Sequence, residues 1–170
     1  MLIIQNLENN SFEQVKKPEE ADIFILNSCS VTSKSDSEAF YILRNIKHKK
    51  PEIITVLTGC IAQVEKEKLL ENDFIDYVIG NDEKLNFFET FQKLSASTSA
   101  CIAADIMNLG VFHEIALDDT TKTRASLKIQ DGCDSRCTYC IIPFARGKSR
   151  SADKKFVAEQ INNFSKHGFK

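Results

Sequence analysis

Over residues 1–94, short β-branched apolar runs alternate with stretches in which apolar residues return every three or four positions. Ala21-Asp-Ile-Phe-Ile-Leu-Asn and Ile53-Ile-Thr-Val-Leu-Thr are the two clearest runs, and Tyr77-Val-Ile-Gly is a shorter third. Apolar runs of this length, bounded by polar residues, predict parallel strands covered on both faces. After a start signal at Ser33 and Asp36, Ala39, Ile42, Leu43 and Ile46 recur at helical spacing, and Lys47 to Lys50 place positive charge at the helix's C-terminal end. Helix is also expected over residues 61–71 and 82–94, the latter with Leu85, Phe88, Phe91 and Leu94 spaced by three. Leu2, Ile3, Ile4 and Leu7 read as the last turns of a helix, and Asn9, Asn10 and Pro18 as loop. The order β-α-β-α-β-α implies an α/β fold with a parallel sheet.

Beyond residue 94 the pattern fades. Residues 95–124 are expected to be a linker with some short structure, separating a first domain, 1–94, from a second unit, 125–170. In that unit Ala125-Ser-Leu-Lys-Ile-Gln alternates as a strand should, and Asp153 to His167 reads as a helix with Phe156, Ile161 and Phe164 on its apolar side.

With 42 % hydrophobic and 27 % charged residues, the chain has an ordinary globular balance and is expected to fold. No apolar run approaches the ~20 residues that span a bilayer, and the N-terminus has no secretory pattern, so the expected compartment is the cytoplasm. The net charge of -2 hides an asymmetry. Residues 122–170 hold eleven Lys/Arg against four Asp/Glu, and residues 1–121 hold eleven against twenty. This basic segment suggests a polyanionic partner, with Arg136, Arg146, Lys148, Arg150, Lys154 and Lys155 as candidate phosphate contacts; a solvated basic face is the plain alternative.

Three of the six cysteines crowd into the basic segment, in Asp131-Gly-Cys-Asp-Ser-Arg-Cys-Thr-Tyr-Cys-Ile-Ile-Pro. Cys133, Cys137 and Cys140 follow a predicted strand at Cys-x3-Cys-x2-Cys spacing, so three soft thiolates can converge on one centre. Structural zinc wants a fourth ligand, and the nearby histidines, His113 and His167, lie 20 and 27 residues from the nearest of these cysteines. A redox Cys-x2-Cys would use Cys137 and Cys140 and leave Cys133 idle. A 4Fe-4S cluster held by three cysteines leaves one iron open to a cofactor, and this spacing matches the radical S-adenosylmethionine (SAM) signature. Cys29 and Cys60 each follow a predicted strand of one parallel sheet, so both should emerge at its carboxyl edge, where such sheets bind ligands.

The run from Lys122-Thr-Arg-Ala through Ile141-Ile-Pro-Phe-Ala-Arg-Gly to Ser151 resembles the radical-SAM methylthiotransferases that modify tRNA. Leu26-Asn-Ser-Cys-Ser-Val-Thr and Leu57-Thr-Gly-Cys-Ile-Ala-Gln resemble two cysteine motifs of that family's N-terminal domain. The resemblance implies a parallel-sheet methylthiotransferase domain followed by the first β/α unit of a radical-SAM (β/α) barrel. It implies two 4Fe-4S clusters, one on Cys133, Cys137 and Cys140 that cleaves SAM, the other held in part by Cys29 and Cys60 and handling sulfur. Tyr139 would lie near the SAM adenine, unless it is plain packing, and Arg136, Arg146, Lys148 and Arg150 would contact RNA. The implied reaction adds a methylthio group to C2 of a modified adenosine beside the anticodon. It involves tRNA, an external electron donor such as a flavodoxin or ferredoxin, no membrane, and a monomeric enzyme. Asn27-Ser-Cys-Ser-Val-Thr with Asp36, Gly80-Asn-Asp-Glu-Lys, and Lys122-Thr-Arg-Ala most resemble the branch acting on N6-threonylcarbamoyladenosine. The isopentenyladenosine branch is second and the branch acting on a ribosomal protein third.

The family's first N-terminal cysteine has no counterpart here; Cys101 lies outside any family motif and reads as structural. Most of the barrel, on the order of 200 residues, and an RNA-binding C-terminal domain are also expected to be missing, so the chain resembles a fragment. A non-catalytic iron-sulfur electron-transfer module and a zinc-binding RNA module are the readings of other classes. The expected outcome is that the 170-residue chain alone gives no methylthio transfer in a tRNA assay, and measurable transfer would refute it.

Overall fold

The computed structural model of the protein describes residues 2–29, 33–115 and 124–169. Its centre is a four-stranded, wholly parallel sheet in the order β1-β2-β3-β4, formed by Ile23–Ser28, Ile54–Gly59, Tyr77–Ile79 and Ala100–Ile102. Helices α1 (Leu2–Glu8), α2 (Ser33–Lys49), α3 (Cys60–Glu65) and α4 (Phe87–Leu94) cover it. Because successive strand residues point to opposite faces, β2 and β3 divide the core in two. Leu57 and Val78 pack with Leu43 of α2 and Ile61 and Ala62 of α3. Val56, Tyr77 and Ile79 pack with Phe87, Phe91 and Leu94 of α4, and Ile3 and Leu7 of α1 join them. Three layers result, helices on sheet on helices, as parallel strands require.

The predicted α/β pattern is present, with informative differences. β2 and β3 are buried almost throughout, but β1 is only half-buried, because it is the edge of the sheet rather than an interior strand. The helix expected over 61–71 is a short α-helix continued by a 3-10 segment, Lys66–Glu71, with Lys66 at a φ of 45°. Over 82–94, a 3-10 turn (Glu83–Asn86) precedes α4, and a 3.6-residue helix then buries Phe87, Thr90, Phe91 and Leu94. Leu85 and Phe88 therefore leave the main face, and Phe88 meets Phe12 edge-on at 5.9 Å. Within 95–124, the stretch read as a linker, Ala100–Ile102 extends the sheet as β4. The strand expected over 125–130 is reduced to β5 (Gln130–Asp131), paired antiparallel with β6 (Arg150–Ser151). Among the described residues no further strand covers its apolar side, and Ile129 stays 54 % exposed. Among the described residues the second segment shows no parallel barrel unit; it carries a short hairpin, α5 (Ile142–Arg146) and α6 (Lys154–Lys166). Asp153 caps α6 by accepting a 2.7 Å hydrogen bond from Lys155 N. Lys122 and Thr123, which contribute to the family resemblance, lie outside the described residues. Among the described residues no helix is long and apolar enough to cross a membrane.

One polar knot fastens α2 to two strands. Asp76, just before β3, accepts from Lys47 Nζ at 2.6 Å and from Thr55 N at 2.7 Å through the same oxygen, and Lys47 also donates to Ile53 O at 2.8 Å. Thr55 is fully buried, so loss of the carboxylate strands a backbone donor and leaves a half-covered ammonium unpaired. Asp76→Ala is expected to lower stability by about 2–4 kcal/mol, read as a shifted denaturant midpoint with an unchanged slope.

Candidate functional site

The carboxyl ends of β1 and β2 are level, since Ser28 pairs with Gly59. Cys29 and Cys60 are the next residues of each chain run, so the parallel register alone sets them side by side at one sheet edge, as the sequence suggested. Cys60 begins α3 and is 6 % exposed, whereas Cys29 is exposed. Gly59 makes the crossing possible: its φ is 102°, and a Cβ there would stand 2.0 Å from Ser28 O. The end of β3 supplies the third wall. Gly80 N donates to Ile102 O at 2.9 Å, and buried Gln63 accepts from Asn81 N at 2.8 Å while donating to Ala104 O at 2.8 Å.

On this edge sits a cavity of about 350 Å³ whose lining includes Cys29, Cys60, Lys84, Asp131, Arg146 and Arg150. The second segment thus closes over the sheet edge. Its attachment is specific: Asn81 Nδ2 donates to Ala145 O at 2.7 Å, and Gly147, at a φ of 76°, lies so near Ile106 O that a Cβ would approach it to 2.3 Å.

The electrostatics of the cavity centre on Arg146. Burial opposes its charge, but a hydrogen bond to the Cys60 sulfur and the charges of Cys60, Asp131 and Cys29 raise its pKa overall. Burial likewise works against the Asp131 carboxylate, yet Lys128 at 2.5 Å, the Gly132 N–H and Arg146 outweigh it and hold the group below its ordinary range. For Lys84 burial wins, and its pKa is lowered despite the nearby sulfur of Cys60. His113 Nε2 lies 2.8 Å from Asp82 Oδ1 beside the same cavity.

The loop that carries Cys133, Cys137 and Cys140 starts and ends at the β5–β6 pair. Its backbone closes through Cys133 N donating to Gly147 O at 3.1 Å and Cys140 N donating to Cys137 O at 3.0 Å. Gly132 (φ 75°) and Arg136 (φ 43°) make the left-handed bends. Cys137 is exposed, Cys133 and Cys140 are half-buried, and all six cysteines of the chain are unpaired. Three free thiols on one surface loop are the donor set that iron-sulfur clusters use, so the residues suit such a group chemically. Among the described residues, however, no three Cys, His, Asp or Glu side chains already stand together as a metal site.

The remaining predicted residues divide clearly. Tyr139 is 91 % exposed, so it is not packing in this fold. Arg136, Lys148, Lys154 and Lys155 are on the surface. Arg146 faces Cys60 and Asp131, and the Arg150 side chain is only 9 % exposed, with its Nη2 donating to Arg146 O at 3.0 Å. Cys101 lies on β4 opposite Val78, and burial, aided by Glu67, pushes its thiol up to about 11. Asn81, Lys84 and Asp131 were not singled out from sequence as site residues. The available signal for the first two was positional: Gly80-Asn-Asp-Glu-Lys follows the third strand just as the two cysteines follow the first and second.

A depressed carboxylate pKa stabilises the fold above the ordinary value of about 3.9, and that contribution disappears as pH falls through the lowered value. Asp131 is such a group, so Asp131→Asn should flatten the loss of stability on the acid side of about pH 4 and be nearly pH-independent in its effect above it, as measured by thermal unfolding across pH.

Residues 1–80 match the family described as "Uncharacterized protein family UPF0004". A threonylcarbamoyladenosine tRNA methylthiotransferase of Bacillus subtilis (strain 168) is 32 % identical over 167 residues, which cover 96 % of this chain and 36 % of that protein. The enzyme of the same name from Rickettsia prowazekii (strain Madrid E) is 34 % identical over 174 residues, 99 % of this chain and 38 % of that protein. A tRNA-2-methylthio-N(6)-dimethylallyladenosine synthase of Thermotoga petrophila is 32 % identical over 167 residues, 96 % of this chain and 37 % of that protein. The chain thus spans a little over a third of the length of these curated relatives, and it is similar to them across nearly all of its own length.

Proposed function

We propose that this chain carries the cysteine-bearing part of a tRNA methylthiotransferase that modifies C2 of an N6-substituted adenosine next to the anticodon, with N6-threonylcarbamoyladenosine the preferred substrate and the dimethylallyl (isopentenyl) derivative second. The observation that supports this reading best is the single cavity on the sheet edge, to which the sheet contributes Cys29 and Cys60 and the flanks of the Cys133–Cys140 loop contribute Asp131 and Arg146. Cys29 and Cys60 line that cavity and the Cys133–Cys140 loop begins and ends beside it, which suits a reaction in which one set of thiols supports radical generation and the other handles sulfur.

In this reading Cys133, Cys137 and Cys140 hold a 4Fe-4S cluster with SAM, and Cys29 and Cys60 contribute to a second. When bound, the first supplies the electron for reductive cleavage of SAM. The chain's own residues do the positioning. Arg146 lies against the Cys60 sulfur and pairs at 3.7 Å with Asp131, the residue just before the Gly132–Cys133 bend. Tyr139, with its ring in solvent, is free to stack on an adenine. The exposed Arg136, Lys148, Lys154 and Lys155 offer charge to the phosphates of tRNA. An external one-electron donor of the flavodoxin or ferredoxin class and a cytoplasmic setting follow from the chemistry, not from any feature of the fold.

Anaerobic reconstitution of the chain with iron and sulfide tests the reading. The expected result is about four iron and four sulfide per occupied site, a reduced-state EPR signal that SAM perturbs, and loss of that response in Cys137→Ser. Zinc bound without labile sulfide, or a cluster indifferent to SAM, would overturn it in favour of a zinc module or an electron-transfer module respectively.

A further inference from the structure

The cysteine loop leaves the hairpin at Asp131 and returns to it at Arg150, two residues that face each other in the β5–β6 register. Three cations gather at this base, one from each part of the segment: Lys128 just ahead of β5, Arg146 at the end of α5, and Arg150 in β6. One carboxylate answers all three. Asp131 Oδ2 stands 2.5 Å from Lys128 Nζ and 3.8 Å from Arg150 Nη2, and its Oδ1 stands 3.7 Å from Arg146 Nη1. No other carboxylate comes within 4.0 Å of these cations among the described residues. The same Oδ1 accepts from Gly132 N at 3.0 Å, at the left-handed bend that leads into Cys133.

These contacts tie the entry of the loop to its exit. Cys133 N donates to Gly147 O at 3.1 Å, so the first thiol is placed by a bond whose two ends are neighbours of the Asp131–Arg146 pair. Arg150 Nη2 donates to Arg146 O at 3.0 Å, which fastens one cation to the other. Without the carboxylate, three like charges would face one another across the loop base, and the Asp131 and Arg150 side chains are only 18 % and 9 % exposed, so water screens that repulsion weakly. The ends would spread, and the thiols with them. We propose that Asp131 is the positioning residue of the Cys133, Cys137 and Cys140 site, holding the two ends of the loop so that the three thiols can meet around one centre. The assignment rests on the reading of the loop as a cluster site and adds the residue that shapes it. Partners outside the ligand set commonly matter this much: removing one typically costs about 10–100-fold in metal affinity. The charge of Asp131 taken alone acts the other way, since an anion beside a thiolate site repels it, and its removal would then tighten metal binding. The three surrounding cations offset that charge, which leaves the geometric role, and the two roles predict opposite signs.

The test titrates the full, reduced chain with cobalt(II) under anaerobic conditions, follows the thiolate-to-cobalt absorption band, and counts the component that Cys137→Ser abolishes. Asp131→Asn should weaken that component about tenfold or more. Asp131→Glu, which keeps the charge on a longer arm, should weaken it by less. Asp76→Ala, which loosens the fold far from the loop, should leave it unchanged and so separates positioning from general stability. Unchanged affinity in Asp131→Asn would overturn the inference, and tighter binding would do so by showing that the carboxylate acts as a charge only. An equal loss in Asp76→Ala, or no cobalt band that depends on Cys137, would overturn it as well. If circular dichroism shows Asp131→Asn unfolded, Asp131→Glu decides, because affinity equal to that of the unaltered chain contradicts a geometric role. The iron, sulfide and EPR measurements judge the enzyme reading separately. A SAM-responsive cluster whose loop binds cobalt regardless of Asp131 loses only this assignment, and a loop that needs Asp131 but whose cluster ignores SAM loses only the enzyme reading.

Discussion

The parallel pairing of Ser28 with Gly59 is the constraint on which the site depends. In a parallel sheet all strands deliver their last residues to one edge, so chemistry placed immediately after a strand is gathered without any dedicated scaffold. Here the first strand delivers Cys29, the second Cys60, and the third Asn81 and Lys84 a short turn later. The contact is close enough that Gly59 tolerates no side chain, since Ser28 O occupies the space a Cβ would need. The Asp76 knot, at the opposite end of β3, holds the same strands from below through Thr55 and Lys47.

The second segment is joined to that edge by polar contacts as well as by the buried Pro143 and Ala145 of α5. Asn81 reaches the backbone of α5, Gly147 nests on Ile106 O, and Arg146 spans Cys60 and Asp131. Residues of α5 and of the hairpin consequently take part in the electrostatics of a site whose cysteines belong to the sheet.

Much of this was legible in the sequence where a local pattern carries it. The β2 and β3 runs, the long α2, α6 and the emergence of Cys29 and Cys60 at one edge all follow from short-range periodicity. β4 was missed because three half-buried residues, Ala100-Cys-Ile, are too few to show a period. The inward face of α4 was shifted because a 3-10 turn precedes it, and a spacing of three continued through the junction changes which residues face the core. The strand expected at 125–130 depended on a partner sheet, and alternation in one segment cannot supply that partner. The cavity charges were illegible for a related reason: Lys84 and Arg150 are far apart in sequence, and each alone looks like an ordinary surface cation.

The two-residue pairing of β5 and β6 has a consequence for the thermodynamics of the loop it closes. Gln130 is opposite Ser151 and Asp131 opposite Arg150, so the ends of the cysteine loop are already together before anything is bound. The entropy of closing that loop is then part of folding the protein, and only the local freedom of the residues between Gly132 and Ile141, ahead of α5, remains to be lost when the three thiols gather. The hairpin therefore acts as a chelate brace: it raises the effective concentration of each thiol around the others, while leaving the loop's interior unconstrained enough to adjust to what it holds.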